Sequence, residues 1–458
     1  MLSLVFSIVS VAFIETDNLL VTVTFLVNFS IAIAGLMSSY RSTSISLWMI
    51  YWFFNLVFFC LVPYIQYVLD RWEYFVNHET ILSANLLIFI YMVIYALVYF
   101  LSHKVEASSN KPDINGNPAN CISAQPICIN RYGMLLLVAA SVVFMEFTIS
   151  MVEFDIRQSL VGDMIGDWGA KRLIGQFFLQ PAIFFVFYLS FAYALFNRTS
   201  FLIKVAIFVS FIPAVILNIP VASSRFYVFV MYLPVILLAL HFVLKIKKTG
   251  SIFILLMPLM LITSAIVSAI QRYIVDYSHH FTSYIFSGHF DAYENLVHML
   301  DFASEEGFFY GHQLLGGIFF WIPRSDWPEK PVGTGSYLAQ NYLLSGIENI
   351  SSPLIGEFYM NFSVFGVLGI AIVLGWFSAR LDKKYSRSIA VAYSHVIGHI
   401  NGGQSMKDYT TVTLYPIIIA ISLFFYRGDI ITAMSSLCGI LLAYFMVKFI
   451  LFGKIKFA

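Results

Sequence analysis

The strongest constraint on this chain is that apolar runs long enough to cross a bilayer follow one another along almost its whole length. A helical span needs about 20 apolar residues. Runs of roughly that kind fall at 2–14, 19–37, 44–68, 80–103, 132–151, 176–197, 201–220, 226–244, 251–270, 353–379, 411–426 and 430–452. The first is short and the eleventh marginal, so the pattern predicts about twelve spans, with ten or eleven as the alternatives. Composition removes the soluble alternative: 60% of the residues are hydrophobic and 11% charged, against about 25% charged in soluble domains. The class expected is therefore an all-α polytopic membrane protein. Residues 1–270 carry the first nine spans on short loops, 271–352 form one large polar excursion, and 353–458 carry the last three.

Charge sets an expected orientation. With the N-terminus inside, Lys and Arg collect on one side, as the positive-inside rule requires, most clearly in KIKK at 245–248 and RLDKK at 380–384. That threading puts both termini in the cytoplasm and the 271–352 excursion outside. Met1–Ile14 lacks a basic region and runs into acidic ETDN, so no cleavable signal peptide is expected. The cysteines Cys60, Cys121, Cys128 and Cys438 suggest no disulfide framework. The net charge of +1 says nothing in favour of nucleic acid as a partner.

Candidate chemistry gathers in and around the excursion. Arg225, Arg272, Arg324, Lys330 and Arg427 fall outside against the charge rule. Arg225, Arg272 and Arg427 sit at three separate helix mouths, where a guanidinium can bind phosphate bidentately or snorkel to water. Residues 283–303 read as an amphipathic helix, with Asp291, Glu294, His298 and Asp301 on a face expected to be solvated. GFFYGHQLLGGIFFWIP is apolar but too short to span, and is expected to pack at the membrane surface or re-enter. After it, Arg324, Asp326, Glu329 and Lys330 cluster between Pro323, Pro328 and Pro331, with Gly333 and Gly335 loosening the exit, as a ligand clamp would require. Glu357 enters the tenth span with Asn361 one turn on; an ionisable residue there is either functional or held by the helix dipole.

No metal or cofactor is expected. His279, His280, His289, His298 and His312 show no metal-binding spacing, and no phosphate-binding loop or dinucleotide fingerprint occurs.

At WIPRSDWPEKPVGTG followed by SSPLIGEFYMNFSVFGVLG, with SSR before the eighth span and YRGD before the last, the chain resembles the Wzy-type O-antigen (oligosaccharide repeat-unit) polymerases of Gram-negative inner membranes. The resemblance implies a metal-independent membrane glycosyltransferase of GT-C-like fold, acting in lipopolysaccharide biosynthesis at the cell inner membrane. Donor and acceptor would be oligosaccharides on undecaprenyl diphosphate, presented on the periplasmic side, with a chain-length regulator protein as partner. Under that reading Arg225, Arg324 and Arg427, with Arg272 and Lys330 in reserve, hold the diphosphate. The base that takes the acceptor proton would be Glu357, with His312 and then Asp291 as rivals. A lipid-linked oligosaccharide flippase or an O-antigen ligase is the alternative, though the long excursion argues against a flippase.

Overall fold

The computed structural model describes residues 19–39, 44–72, 76–109, 127–152, 174–197, 199–218, 225–246, 248–254, 286, 288, 290–343, 349–397 and 406–453. The expected first span, all but the first four residues of the ninth, and Arg272 lie outside them. Among the described residues the protein is entirely helical. Eight helices are long and apolar enough to cross a membrane. They are α1 (Leu19–Ser38), α2 (Leu47–Val68), α3 (His78–Ser109), α4 (Arg131–Val152), α5 (Gly175–Phe196), and, after the excursion, α11 (Leu354–Ile397), α12 (Met406–Arg427) and α13 (Ile430–Phe452). Two shorter apolar helices, α6 (Phe201–Leu217) and α7 (Arg225–Leu238), lie between them. The described part of the excursion folds into three short helices: α8 (Ala292–Glu305), α9 (His312–Ile318) and α10 (Thr334–Leu338). The chain is thus a multi-pass membrane protein.

The long helices follow from uniformly apolar sequence, which in lipid satisfies the backbone internally and leaves no polar face to hydrate. Proline marks their irregularities. Widened π turns at Asn55–Leu61 and Gly175–Leu179 run into Pro63 and Pro181, which lack the N–H that would continue a regular ladder.

The chain divides into two compact units, each assembled from three stretches. The first joins 1–110, 280–382 and 422–434. Here Asp382, buried in α11, receives the N–H groups of Leu47 (2.9 Å) and Trp48 (3.2 Å) at the start of α2 and the hydroxyl of Tyr99 (2.8 Å) from α3. One carboxylate thereby holds three spans together. Above it Tyr51 and Tyr95 stack at 3.5 Å. Small residues let helices touch: Gly35 lies against the Trp52 ring and Gly375 against the Tyr95 backbone.

Helix α8 departs from expectation. Instead of presenting a solvated face, it is buried throughout from Ala292 to Ala303, Glu294, His298 and Asp301 included. Tyr293 donates to Asn85 Oδ1 at 2.9 Å and packs on Phe25. Asp301 accepts from the Thr80 hydroxyl and from Asn77 Nδ2. Burial lowers His298 to about 4, so it is neutral near pH 7. The helix is a packed element of the first unit, not a lid floating over it. Its amphipathic pattern arose because its polar residues meet polar groups of α3 and of the chain before Leu354, rather than water.

The second unit joins 111–279, 383–421 and 435–458, with α5 as its most enclosed helix. Tyr188 on α5 donates to Thr413 O at 2.8 Å and Tyr409 to Leu189 O at 2.7 Å, while Thr413 and Tyr444 share a hydrogen bond of 2.6 Å. Such bonds tie spans together where hydrophobicity cannot distinguish a neighbouring helix from lipid.

Removing the Asp382 carboxylate leaves two N–H groups and a tyrosine hydroxyl without it. Asp382→Ala is expected to destabilise the detergent-solubilised protein by on the order of 2 kcal/mol, read as a lower melting temperature. A melting temperature equal to wild type would remove the three-span clamp.

Candidate functional site

The polar centre of the first unit forms where α11 begins. Its first turns, Leu354 to Asn361, are separated from the rest by a break at Phe362 and Ser363, whose φ of 55° is left-handed. Pro353 and the serines before it lead into this short segment, and Glu357 lies one turn inside, fully buried. An isolated carboxylate there would be costly. It is met by donors from three directions: Ser352 Oγ gives to Oε1 at 2.8 Å, Thr334 Oγ1 to Oε2 at 2.7 Å, and the Ile430 N–H to Oε1 at 3.3 Å. Asn361 Nδ2 bonds the Glu357 carbonyl at 2.8 Å, which confirms that the two residues share a face.

Asp429, in the turn between α12 and α13, completes the centre. Its carboxylate receives the Ile431 N–H at 3.0 Å, while the N–H of the intervening Ile430 goes to Glu357, so the two buried acids lie side by side. Two buried carboxyls side by side cannot both ionise cheaply, which favours a proton held on the pair. Burial pushes Asp429 above its ordinary value. Glycine makes this approach feasible: a side chain at Gly333 would overlap the Asp429 carboxylate, and one at Gly335 would strike the Ile350 carbonyl. These glycines serve close packing rather than looseness.

Next to the pair lies an ion pair. Arg427 Nη2 contacts Asp291 Oδ1 at 2.9 Å and also donates to the Gly288 carbonyl. Asp291 is buried and fully engaged: Ser351 Oγ gives to Oδ1 at 2.7 Å, and Asn295 Nδ2 gives to Oδ2 at 2.9 Å. Ser351 and Ser352 thus face two ways, one holding the arginine's partner and the other holding Glu357. Arg427 itself stays about one-third exposed, at 34%, and its Nε has no partner. The unpartnered Nε is itself buried; it is the one-third exposed remainder of the side chain that suits an anion arriving from outside.

A hydrocarbon layer of about 30 Å takes about 20 helical residues. Arg380 lies over the Trp376 ring at 4.3 Å, a pairing suited to an interface. Counting that length back from Arg380 reaches Met360, beside the break. The Glu357–Asp429 pair lies on the other side of that break from Arg380.

The other candidates fare differently. Arg324 is exposed on the loop and donates Nη1 to Lys330 O at 2.8 Å. Lys330 Nζ is spent on the Phe320 (2.6 Å) and Ile322 (3.0 Å) carbonyls, clasping the loop shut. This loop rests on the Arg427 turn, since Gly316 and Gly317 of α9 lie against Ile431 and Ile430. His312 is exposed at the start of α9. Arg225 opens α7, in the second unit. Asp291 is positioned as the arginine's anchor rather than as a free base. Asp429, Ser351, Ser352 and Thr334 went unselected in the sequence, although Asp429 lies in the same YRGD stretch as Arg427. Among the described residues no group of three or more His, Cys, Asp or Glu could hold a metal.

In comparisons with known proteins, no family model, no curated protein and no solved structure significantly matches this chain.

The shared proton has a pH signature. Asp429 binds its proton more tightly folded than unfolded, so its contribution to stability is complete below 3.8 and is lost as pH rises towards its raised folded value. Asn mimics the protonated acid without titrating. The melting temperature of Asp429→Asn should therefore gain on wild type as pH rises; a constant difference would contradict the shared proton. Gly333→Ala should act on the same pair by displacing Asp429, lowering the melting temperature by several degrees, whereas an unchanged value would show that the close approach is not needed.

Proposed function

We propose that this chain is a membrane glycan polymerase of the O-antigen type, a GT-C-like glycosyltransferase of the inner membrane. It transfers a growing oligosaccharide from undecaprenyl diphosphate to a lipid-linked repeat unit on the periplasmic side. The observation that carries the reading is the gathering of Arg427, Asp291, Glu357 and Asp429 into one cluster, which we place at head-group height. A lipid-linked diphosphate places its charge and its scissile sugar bond at that height.

In the proposed reaction an acceptor hydroxyl attacks the anomeric carbon of the donor. The bond from that carbon to the diphosphate oxygen breaks, and the lipid diphosphate leaves with the electron pair. Charge building on the leaving group is stabilised by fixed cations. Arg427 is oriented for this by Asp291, and the exposed Arg324 is the second cation. The acceptor's proton goes to the carboxyl pair, which holds one proton and keeps capacity for another. Glu357 is the base in this scheme, with Asp429 setting its readiness. Lys330 contributes by holding the loop that carries Arg324. Arg225 stays a candidate cation for the diphosphate, and His312 a rival base.

A deletion strain tests the reading through its lipopolysaccharide ladder. Loss of the gene should leave core bearing a single repeat unit; core with no repeat would contradict the polymerase and favour a flippase or ligase. Arg427→Ala and Arg324→Ala should each shorten the ladder by at least about tenfold in long-chain material, the scale of losing a charge-stabilising donor, with membrane levels of the protein checked in parallel. Normal ladders from both variants would remove the diphosphate assignment.

A further inference from the structure

Helix α9 is built inside out. Its small residues Gly316 and Gly317 face the protein, seated against Ile430, Ile431 and Pro331. Its large apolar residues face away: Leu315 is 43% and Ile318 51% exposed, and in the turn that follows Trp321 is 62% exposed. A water-facing helix arranges these the other way round, since burial of apolar surface is what favours packing.

Depth explains the inversion. The chain just before α9 is fixed to the break in α11: the Phe309 N–H donates to Met360 O at 2.9 Å, Phe308 packs on Tyr359, and Gly311, at φ 90°, turns the chain against the Phe362 ring. Met360 is where the hydrocarbon length counted from Arg380 ends. At and just past the break, α11 likewise exposes apolar side chains, Phe362 at 45% and Phe365 at 82%. Directly after Trp321 the chain turns polar and exposed at Arg324, Ser325 and Asp326.

We propose that the segment from His312 to Trp321 is an interfacial anchor whose outward side chains insert into the edge of the lipid bilayer, with Arg324 at the phosphate level. The occupant of this face is lipid, because the face adjoins the lipid-facing side of a spanning helix at the depth where hydrocarbon ends. Its inner side sits on Ile430 and Ile431, the residues that donate N–H groups to Glu357 and Asp429. Anchoring in lipid therefore also holds the floor of the carboxyl pair. This inference stands whatever reaction the site performs.

The test uses the full chain in vesicles of phosphatidylethanolamine and phosphatidylglycerol, with Cys121, Cys128 and Cys438 replaced by serine. Nitroxide labels are placed by Leu315→Cys, Ile318→Cys and Ser325→Cys, all exposed positions. Labels at 315 and 318 should be more accessible to oxygen than to a water-soluble nickel chelate, with the reverse at 325. Nickel access at 315 and 318 would overturn the proposal, and so would shielding from both reagents, which marks a protein neighbour or a second copy. An unlabelled check compares wild type with Trp321→Phe in vesicles of phospholipid brominated near the head group. The variant should lose part of the lipid quenching of tryptophan fluorescence; identical quenching would count against the anchor.

Discussion

The carboxylate of Glu357 is the contact on which the first unit's polar centre depends. A fully buried acid persists only if donors are brought to it, and the three it receives come from stretches far apart in sequence: the end of the excursion, the residues entering α11, and the turn after α12. Meeting that requirement brings Gly333 and Thr334 onto Asp429, and Ser351 onto Asp291. Through Asp291 it fixes Arg427. A polar network of this kind is worth more than its pairs because each member is oriented by the next. Loss of one donor leaves a buried acceptor unsatisfied, at about 1–3 kcal/mol.

The break in α11 sets this network apart from the rest of the helix. At 44 residues the helix is far longer than one crossing requires, and the left-handed Ser363 separates its longer part from the short part that carries Glu357. The Met360 carbonyl freed near the break is taken by Phe309, which pins the excursion to the same level. A local backbone irregularity thus sets both where the acid pair stands and how the loop approaches it.

Much of this was legible in the sequence. The long spans declare themselves through uniform apolar runs, and Glu357 and Arg427 stood out because charges at helix mouths are costly unless used. The break at Phe362–Ser363 was hidden, since neither residue is a glycine or proline and the apolar run continues through it. Burial of α8 was also hidden: its alternating polar pattern is the same whether the polar face meets water or the Asn77, Thr80 and Asn85 side chains of another segment. Asp429 escaped notice because an acidic residue in a short loop is ordinary; only the tertiary approach through Gly333 makes it part of a pair. The pairing of Arg427 with Asp291 spans 136 residues, a separation that no local spacing rule can detect.

The central claim is that the carboxyl pair and Arg427 act together on a lipid-linked diphosphate sugar. The most direct measurement is product length from purified protein in vesicles supplied with lipid-linked repeat units. The account predicts elongated lipid-linked glycan from wild type and none from Glu357→Gln at equal protein. Repeat units that stay single with wild type, or elongation undiminished in the variant, would contradict it.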